Sequence, residues 1–154
     1  MGTKHTRASV QTILNSSRDF RGLDLSRLDL SDMDFSGCDM RHTVLRETNL
    51  CRCDFTRTDL CHAMMDNAIM DHAILVHTQL FCTGMRNINL TTTQIRVTDL
   101  RHVTFGNSIL DGLDLSNVNF RFSRASYPQM KGGNLTNADF TQTMLMGANF
   151  SNAN

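Results

Sequence analysis

Read in steps of five from Phe20, the chain meets an apolar residue every time. The series begins Phe20, Leu25, Leu30, Phe35, Met40, Leu45, Leu50 and continues without a gap to Phe140, Leu145 and Phe150. All 27 positions from 20 to 150 obey it, and only Ala125 among them is small. In a chain with 40% apolar residues, chance would give such a run with a probability on the order of 10⁻¹¹. The flanks follow the same period. Two residues before each centre stands a compact residue in most units, such as Cys38, Thr48, Ala63, Ala68, Ala73, Thr98, Ala138 and Ala148. One residue before the centre is often Asp or Asn, as at Asp24, Asp39, Asn49, Asp59, Asp99 and Asn119. The two residues after it are mostly Ser, Thr, Arg, Gly, Asn or His.

Neither regular element has this period. A helix repeats its apolar face near every 3.6 residues and a half-buried strand every second one. A strict five makes each unit one short side and one corner. A compact and a large side chain then point in, and three point out. Asp and Asn beside the centre suit the corner, because their side chains can cap nearby backbone groups.

The units LDLSR at 23–27, TDLCH at 58–62, ADFTQ at 138–142 and ANFSN at 148–152 resemble the pentapeptide-repeat family. The resemblance covers residues 18–154. It implies an all-β chain wound as a right-handed four-sided parallel β-helix, with four units per coil. Twenty-seven units would give about seven coils, and stacked strands ~4.8 Å apart would make a rod roughly 32 Å long. The match weakens where large residues take the compact position, at Leu23, Leu28, Met33, Ile88 and Leu113, and where Pro128 takes it. Over Arg121–Gly133, with Ala125 as a centre, a thinner core or a bulged loop is expected, with the solenoid resuming by Leu135.

Stacked coils leave unpaired backbone at both ends. Residues 1–17 are expected to form the N-terminal cap or leader. Thr6–Leu14 reads as a short helix with Val10, Ile13 and Leu14 on one stripe, a lid over Phe20 and Leu25. The register runs to Asn154 with no lid, so the C-terminal end is expected to be solvated, to pair with a second copy as a homodimer, or to continue into a longer protein of which this chain is a piece.

Fifteen basic and fifteen acidic side chains give a net charge of zero, which favours neither a phosphate-binding surface nor a strongly acidic one. No direct nucleic-acid or membrane contact is expected. Five cysteines, an odd number, argue against a closed disulfide framework and for a reducing, cytoplasmic setting, although a secreted bacterial effector also fits the family. No Gly-rich phosphate loop, His-Glu-x-x-His or nucleophile elbow occurs, so no catalytic residue, cofactor or metal site is assigned and an enzyme is not expected. With twenty residues per coil, His42, His62, Cys82 and His102 form one outward column. That column reads as a solvated ladder of corner residues, since a flat stack rarely closes a tetrahedral metal shell. Arg21, Arg41, Arg101 and Arg121 beside it, with Asp19, Asp39, Asp59 and Asp99, read as offsetting charges.

One stretch breaks the polar pattern. Met64, Ile69 and Ile74 stand before their centres, and Val76 and Phe81 follow theirs. These five are the candidate partner-binding residues, with Val44, Ile109, Met144 and Met146 as further outward exceptions. The expected function is a non-enzymatic protein–protein interaction scaffold. The alternative implied by the resemblance is a DNA mimic that binds DNA gyrase or another topoisomerase, protecting or inhibiting it. An acidic stripe should mark that role, and here Asp residues are interleaved with Arg.

Overall fold

The computed structural model describes residues 4–97 and 99–154; Met1, Gly2, Thr3 and Thr98, the last a compact position of the repeat, lie outside them. Parallel bridges join residues that stand one before a centre to those twenty further on, as in Asp19 to Asp39 to Asp59, or Asp24 to Val44 to Met64. Twenty residues hold four five-residue units, so the residues before the centres form four separate ladders, one on each side of the coil.

The hydrogen bonds explain the unit. The centre donates its N–H forward to the next coil (Phe20 N–H to Asp39 C=O, 2.8 Å), and the residue before it donates back (Asp39 N–H to Arg18 C=O, 3.1 Å). The corner closes through the N–H three residues after the centre, as Leu23 N–H to Phe20 C=O at 3.1 Å. Asp at the position before the centre accepts the amide two residues on, as Ser26 N–H to Asp24 Oδ1 at 3.0 Å and Thr141 N–H to Asp139 Oδ1 at 2.8 Å. That role explains its frequency.

Compact residues point inward and satisfy themselves by a second rule. Their hydroxyls donate to the carbonyl of a centre 23 residues earlier, as Thr43 to Phe20 at 2.8 Å and Thr58 to Phe35 at 2.6 Å. The Cys53 thiol makes the same contact to Leu30 at 3.0 Å, and burial pushes its pKa up to about 12. Among the described residues, Ser123 Oγ is the buried exception, without a partner. Every centre from Phe20 to Leu90 and from Leu100 to Met130 is buried, at a typical gain of roughly 1.5–3 kcal/mol for each large side chain. Met33, Ile88 and Leu113 are buried at the compact position too, while Leu23 and Leu28 pack partly buried against the core.

Helix α1 (Arg7–Leu14) starts at Thr6. The Thr6 side chain accepts the Ser9 N–H, and the Ser9 hydroxyl accepts the Thr6 N–H, a reciprocal cap. Val10 and Leu14 join the same buried cluster as Phe20. Arg7 donates to the Asp29 and Ser31 carbonyls at 3.0 and 2.7 Å, and Arg18 to the Asp34 carbonyl at 3.2 Å. No earlier coil is there to bond these carbonyls, so guanidinium groups take the place of a strand.

The expected irregularity at Arg121–Gly133 does not occur. Thr104 pairs with Arg124 and Ile109 with Gln129 in unbroken register, and Ala125, Pro128 and Met130 are buried. Pro128 gives up only the N–H that would close its corner.

The departure lies earlier. From Gly22 to Asn152, the second residue after each centre has a positive φ near +60°, except, among the described residues, Thr92 and Val97. These are the two β-branched residues in that series. A branched Cβ collides with the backbone in the left-handed region. The two flank β2 (Gln94–Arg96), which runs parallel to β1 (Ile74–Val76) one coil below. Towards the C-terminus the core thins, with Leu135, Phe140 and Leu145 only partly buried and Phe150 exposed.

Candidate interaction surface

The five residues singled out by the sequence stand at one level of the rod but on successive sides. Met64 pairs with Val44 and Gly84, Ile69 with Asn49, and Ile74 with Asp54 and Gln94, three separate ladders. Met64 and Ile69 are exposed, by 39% and 51%. Ile74, Val76 and Phe81 are half-buried. Together they form a belt, and a partner lying along one side reaches one part of it.

Phe81 belongs to a different feature. The His42 and His62 rings stack at 4.9 Å, the Phe81 ring follows edge-on at 5.7 Å, and His102 and Phe122 continue at 5.2 and 5.1 Å. Phe81 thus takes the ring's place at the level of Cys82. It separates His62 from His102, and among the described residues no group of three or more His, Cys, Asp or Glu is arranged to hold a metal ion. Arg101 lies over the Phe81 ring at 5.5 Å.

Beside this column the acidic ladder is neutralised locally. Arg21, Arg41 and Arg101 reach the carboxylate two residues before them, at 2.7 Å to Asp19, 2.6 Å to Asp39 and 2.7 Å to Asp99. The Arg21 hydrogen bond holds the Asp19 carboxyl down at about 2, and Asp39 and Asp99 are lowered in the same way. Burial pushes the Cys61 thiol up to about 11, helped by the neighbouring Asp59, which makes it a poor nucleophile.

The sequence reading missed how much the four sides differ. On three of them the ladders carry Asp or Asn at most levels. The fourth runs Asp24, Val44, Met64, Gly84, Thr104, Arg124, Met144 and loses its capping residue after the first level. At its far end Met144 and Met146 are 63% and 60% exposed, with Tyr127 and Phe122 also exposed. The Tyr127 ring lies against Gly147, where an added Cβ would collide with it. A groove of about 450 Å³ runs between Phe122, Arg124, Gln142 and Met144. The signal was present in every twentieth residue, but it was scattered among other exceptions when read five at a time.

The family model for pentapeptide repeats (8 copies) matches residues 19–41, 38–75, 98–127 and 129–154, and leaves out 76–97, which holds both Thr92 and Val97. No curated protein matches the sequence. Among solved structures, QnrB1, a plasmid-mediated fluoroquinolone resistance protein, is similar in fold, with a TM-score of 0.63 and 19% identity over 87% of this chain and 75% of that one. HetL, a pentapeptide repeat protein involved in heterocyst differentiation regulation in the cyanobacterium Nostoc sp. strain PCC 7120, aligns over 97% of this chain and 94% of its own, with 18% identity and a TM-score of 0.47. No helix among the described residues is long and apolar enough to cross a membrane. With its repeats matched over most of its length, the chain belongs to the pentapeptide-repeat family, whose members fold as right-handed four-sided β-helices.

Proposed function

We propose that this protein is a non-enzymatic interaction scaffold, a rod of about seven coils closed at its N-terminal end by α1, which presents side chains to another protein. The observation that carries this reading is the division of labour in the repeat. Apart from half-buried Ile95, the central inward positions from Phe20 to Met130 are buried, mostly as Phe, Leu and Met, so what varies most from coil to coil is the outer surface. Exposed apolar residues on an otherwise polar surface suit partner contact. The belt of Met64, Ile69, Ile74, Val76 and Phe81 is one candidate contact. The partly exposed centres Phe140, Leu145 and Phe150 are a candidate contact for a second copy.

The test is capture from bacterial lysate by the native chain and by a Met64→Glu, Ile69→Lys, Ile74→Glu variant that keeps its β-sheet circular dichroism. A partner retained by the native chain and lost by the variant supports the scaffold and its belt. Capture of nothing by the native chain argues against the scaffold. A second reading, binding to DNA gyrase, is favoured by the fold likeness to QnrB1 and opposed by the pairing of Asp19, Asp39 and Asp99 with arginines. Gyrase supercoiling assayed with and without a fluoroquinolone decides it: inhibition or protection by the native chain supports the mimic, and an unchanged rate removes it.

A further inference from the structure

The side that lost its capping residues has paid for the change. An Asp or Asn before the centre caps the amide two residues on, and neither Arg124 nor Met144 can do so for Ser126 or Met146. Sequences depart from a local folding rule mainly where function asks for it. What replaces the caps has a consistent chemistry. From Val44 onward this side carries Arg46, Arg86 and Arg124 against one carboxylate, Asp66. Asp66 is held between Arg46 at 4.0 Å and Arg86 at 3.6 Å, with its side chain only 15% exposed. Glu47 at the adjoining corner is already paired with Arg27 at 3.0 Å.

Arg124 differs from the arginines of the ringed corner. It is exposed, and among the described residues it has no carboxylate partner. Met144 stands one coil on in the same ladder, Met146 and Tyr127 lie beside it, and Phe122 walls the groove. Between the apolar ends, Gly84, Thr104, Gly106 and Ser126 keep the surface low. Met64 and Met144 are four coils apart, about 19 Å at the spacing of stacked strands.

We infer that this side is a docking track for an acidic, apolar-anchored protein segment: carboxylates meet Arg124 and the outward face of the Arg46–Asp66–Arg86 cluster, and large apolar side chains pack on Met144, Met146 and Phe122 at one end and on Met64 at the other. The inference rests on the scaffold reading and adds the chemistry of the partner. Methionine-rich surfaces adapt to varied apolar side chains, and charge complementarity sets which segments are accepted.

The probe is a phage-displayed library of random sixteen-residue peptides, long enough to span the track as a helix at 1.5 Å per residue, panned on the folded native chain. The expected result is enrichment of Asp or Glu flanked by Leu, Ile, Phe or Met. Arg124→Glu should weaken the selected peptides at least about tenfold, and a peptide with Lys in place of its acidic residue should regain binding to that variant. Met144→Ser with Met146→Ser should weaken them by a similar factor. Lys131→Glu, the same charge reversal on the neighbouring side, should change nothing. All variants are first matched to the native chain in circular dichroism and melting temperature. Enrichment of basic or neutral peptides, or equal loss with Lys131→Glu and Arg124→Glu, overturns the inference. So does failure of any peptide to enrich. Peptides lost on Ile69→Lys with Ile74→Glu but indifferent to Arg124→Glu also overturn it, while leaving the scaffold standing on the belt.

Discussion

His77 and Val97 occupy the same corner one coil apart, and so do His72 and Thr92. The histidines sit at φ values of +56° and +60°, and their coil brings Leu75 fully into the core. One coil on, Thr92 and Val97 stay out of the left-handed region. β2 then shows exposed Gln94, half-buried Ile95 and exposed Arg96, where β1 shows half-buried Ile74, buried Leu75 and half-buried Val76. Val97 itself turns in, at 9% exposure, from a corner position that elsewhere faces solvent. The two coils share a register and a centre of the same kind, so the corner residue makes the difference. A β-helix of this type needs a residue that tolerates positive φ four times per coil. Gly, Asn and His supply it at low cost, whereas a β-branched residue costs roughly 1–2 kcal/mol.

Leu75→Ala should cost about 3 kcal/mol in urea unfolding, while Ile95→Ala, already half out of the core, should cost about 1 kcal/mol; equal losses would mean that the two coils pack alike. His77→Val places the branched residue in the regular coil. It should cost about 1–2 kcal/mol, with hydrogen exchange speeding at the amides around His77 and little change near α1. Thr92→Asn runs the other way. Asn accepts the left-handed region, so stability should rise by about 0.5 kcal/mol, and a crystal structure should show residue 92 at positive φ.

The smallest effect is the response to acid. Asp99 is lowered by its hydrogen bonds to Arg101, while Gln79, at the matching position of the coil below, cannot titrate. A carboxylate whose folded pKa lies below its unfolded one stabilises above the unfolded value, near 3.8. That contribution fades as pH falls through the folded value. Native stability should therefore decline from about pH 4 downward, following the lowered carboxylates that include Asp19 at about 2. Asp99→Asn should make the decline slightly shallower. A variant with the native slope would detach Asp99 from the acid response.

The core was legible because one residue in five had to be apolar, and burial of those residues, half-buried Ile95 apart, bears this out as far as Met130. The corner Asp and Asn residues were legible for the same reason: each acts within two residues of itself. The misplaced irregularity has a physical cause. Size at the inward positions drew attention to Ala125 and Pro128, yet small residues and a missing N–H fit the coil, while the backbone angle at an outward corner decides whether it closes. The belt of Met64, Ile69 and Ile74 was legible as a run of exceptions. That its members face three directions was not, because five residues along the chain is once around a corner.

From the sequence alone came the period, the inward column, the turn chemistry and the family, since these depend on contacts within one unit or on the regular repetition of units. Twenty residues per coil already set His42, His62, Cys82 and His102 in one column; what the outward neighbours make of each side was settled only in the folded rod. Stacking brings together residues twenty apart, and it turned Val44, Met64, Arg124 and Met144 into one side, placed Phe81 between two histidines, and carried Arg7 and Arg18 to carbonyls with no strand before them. Contacts of that kind depend on the pitch of the coil, which no single unit of the repeat contains.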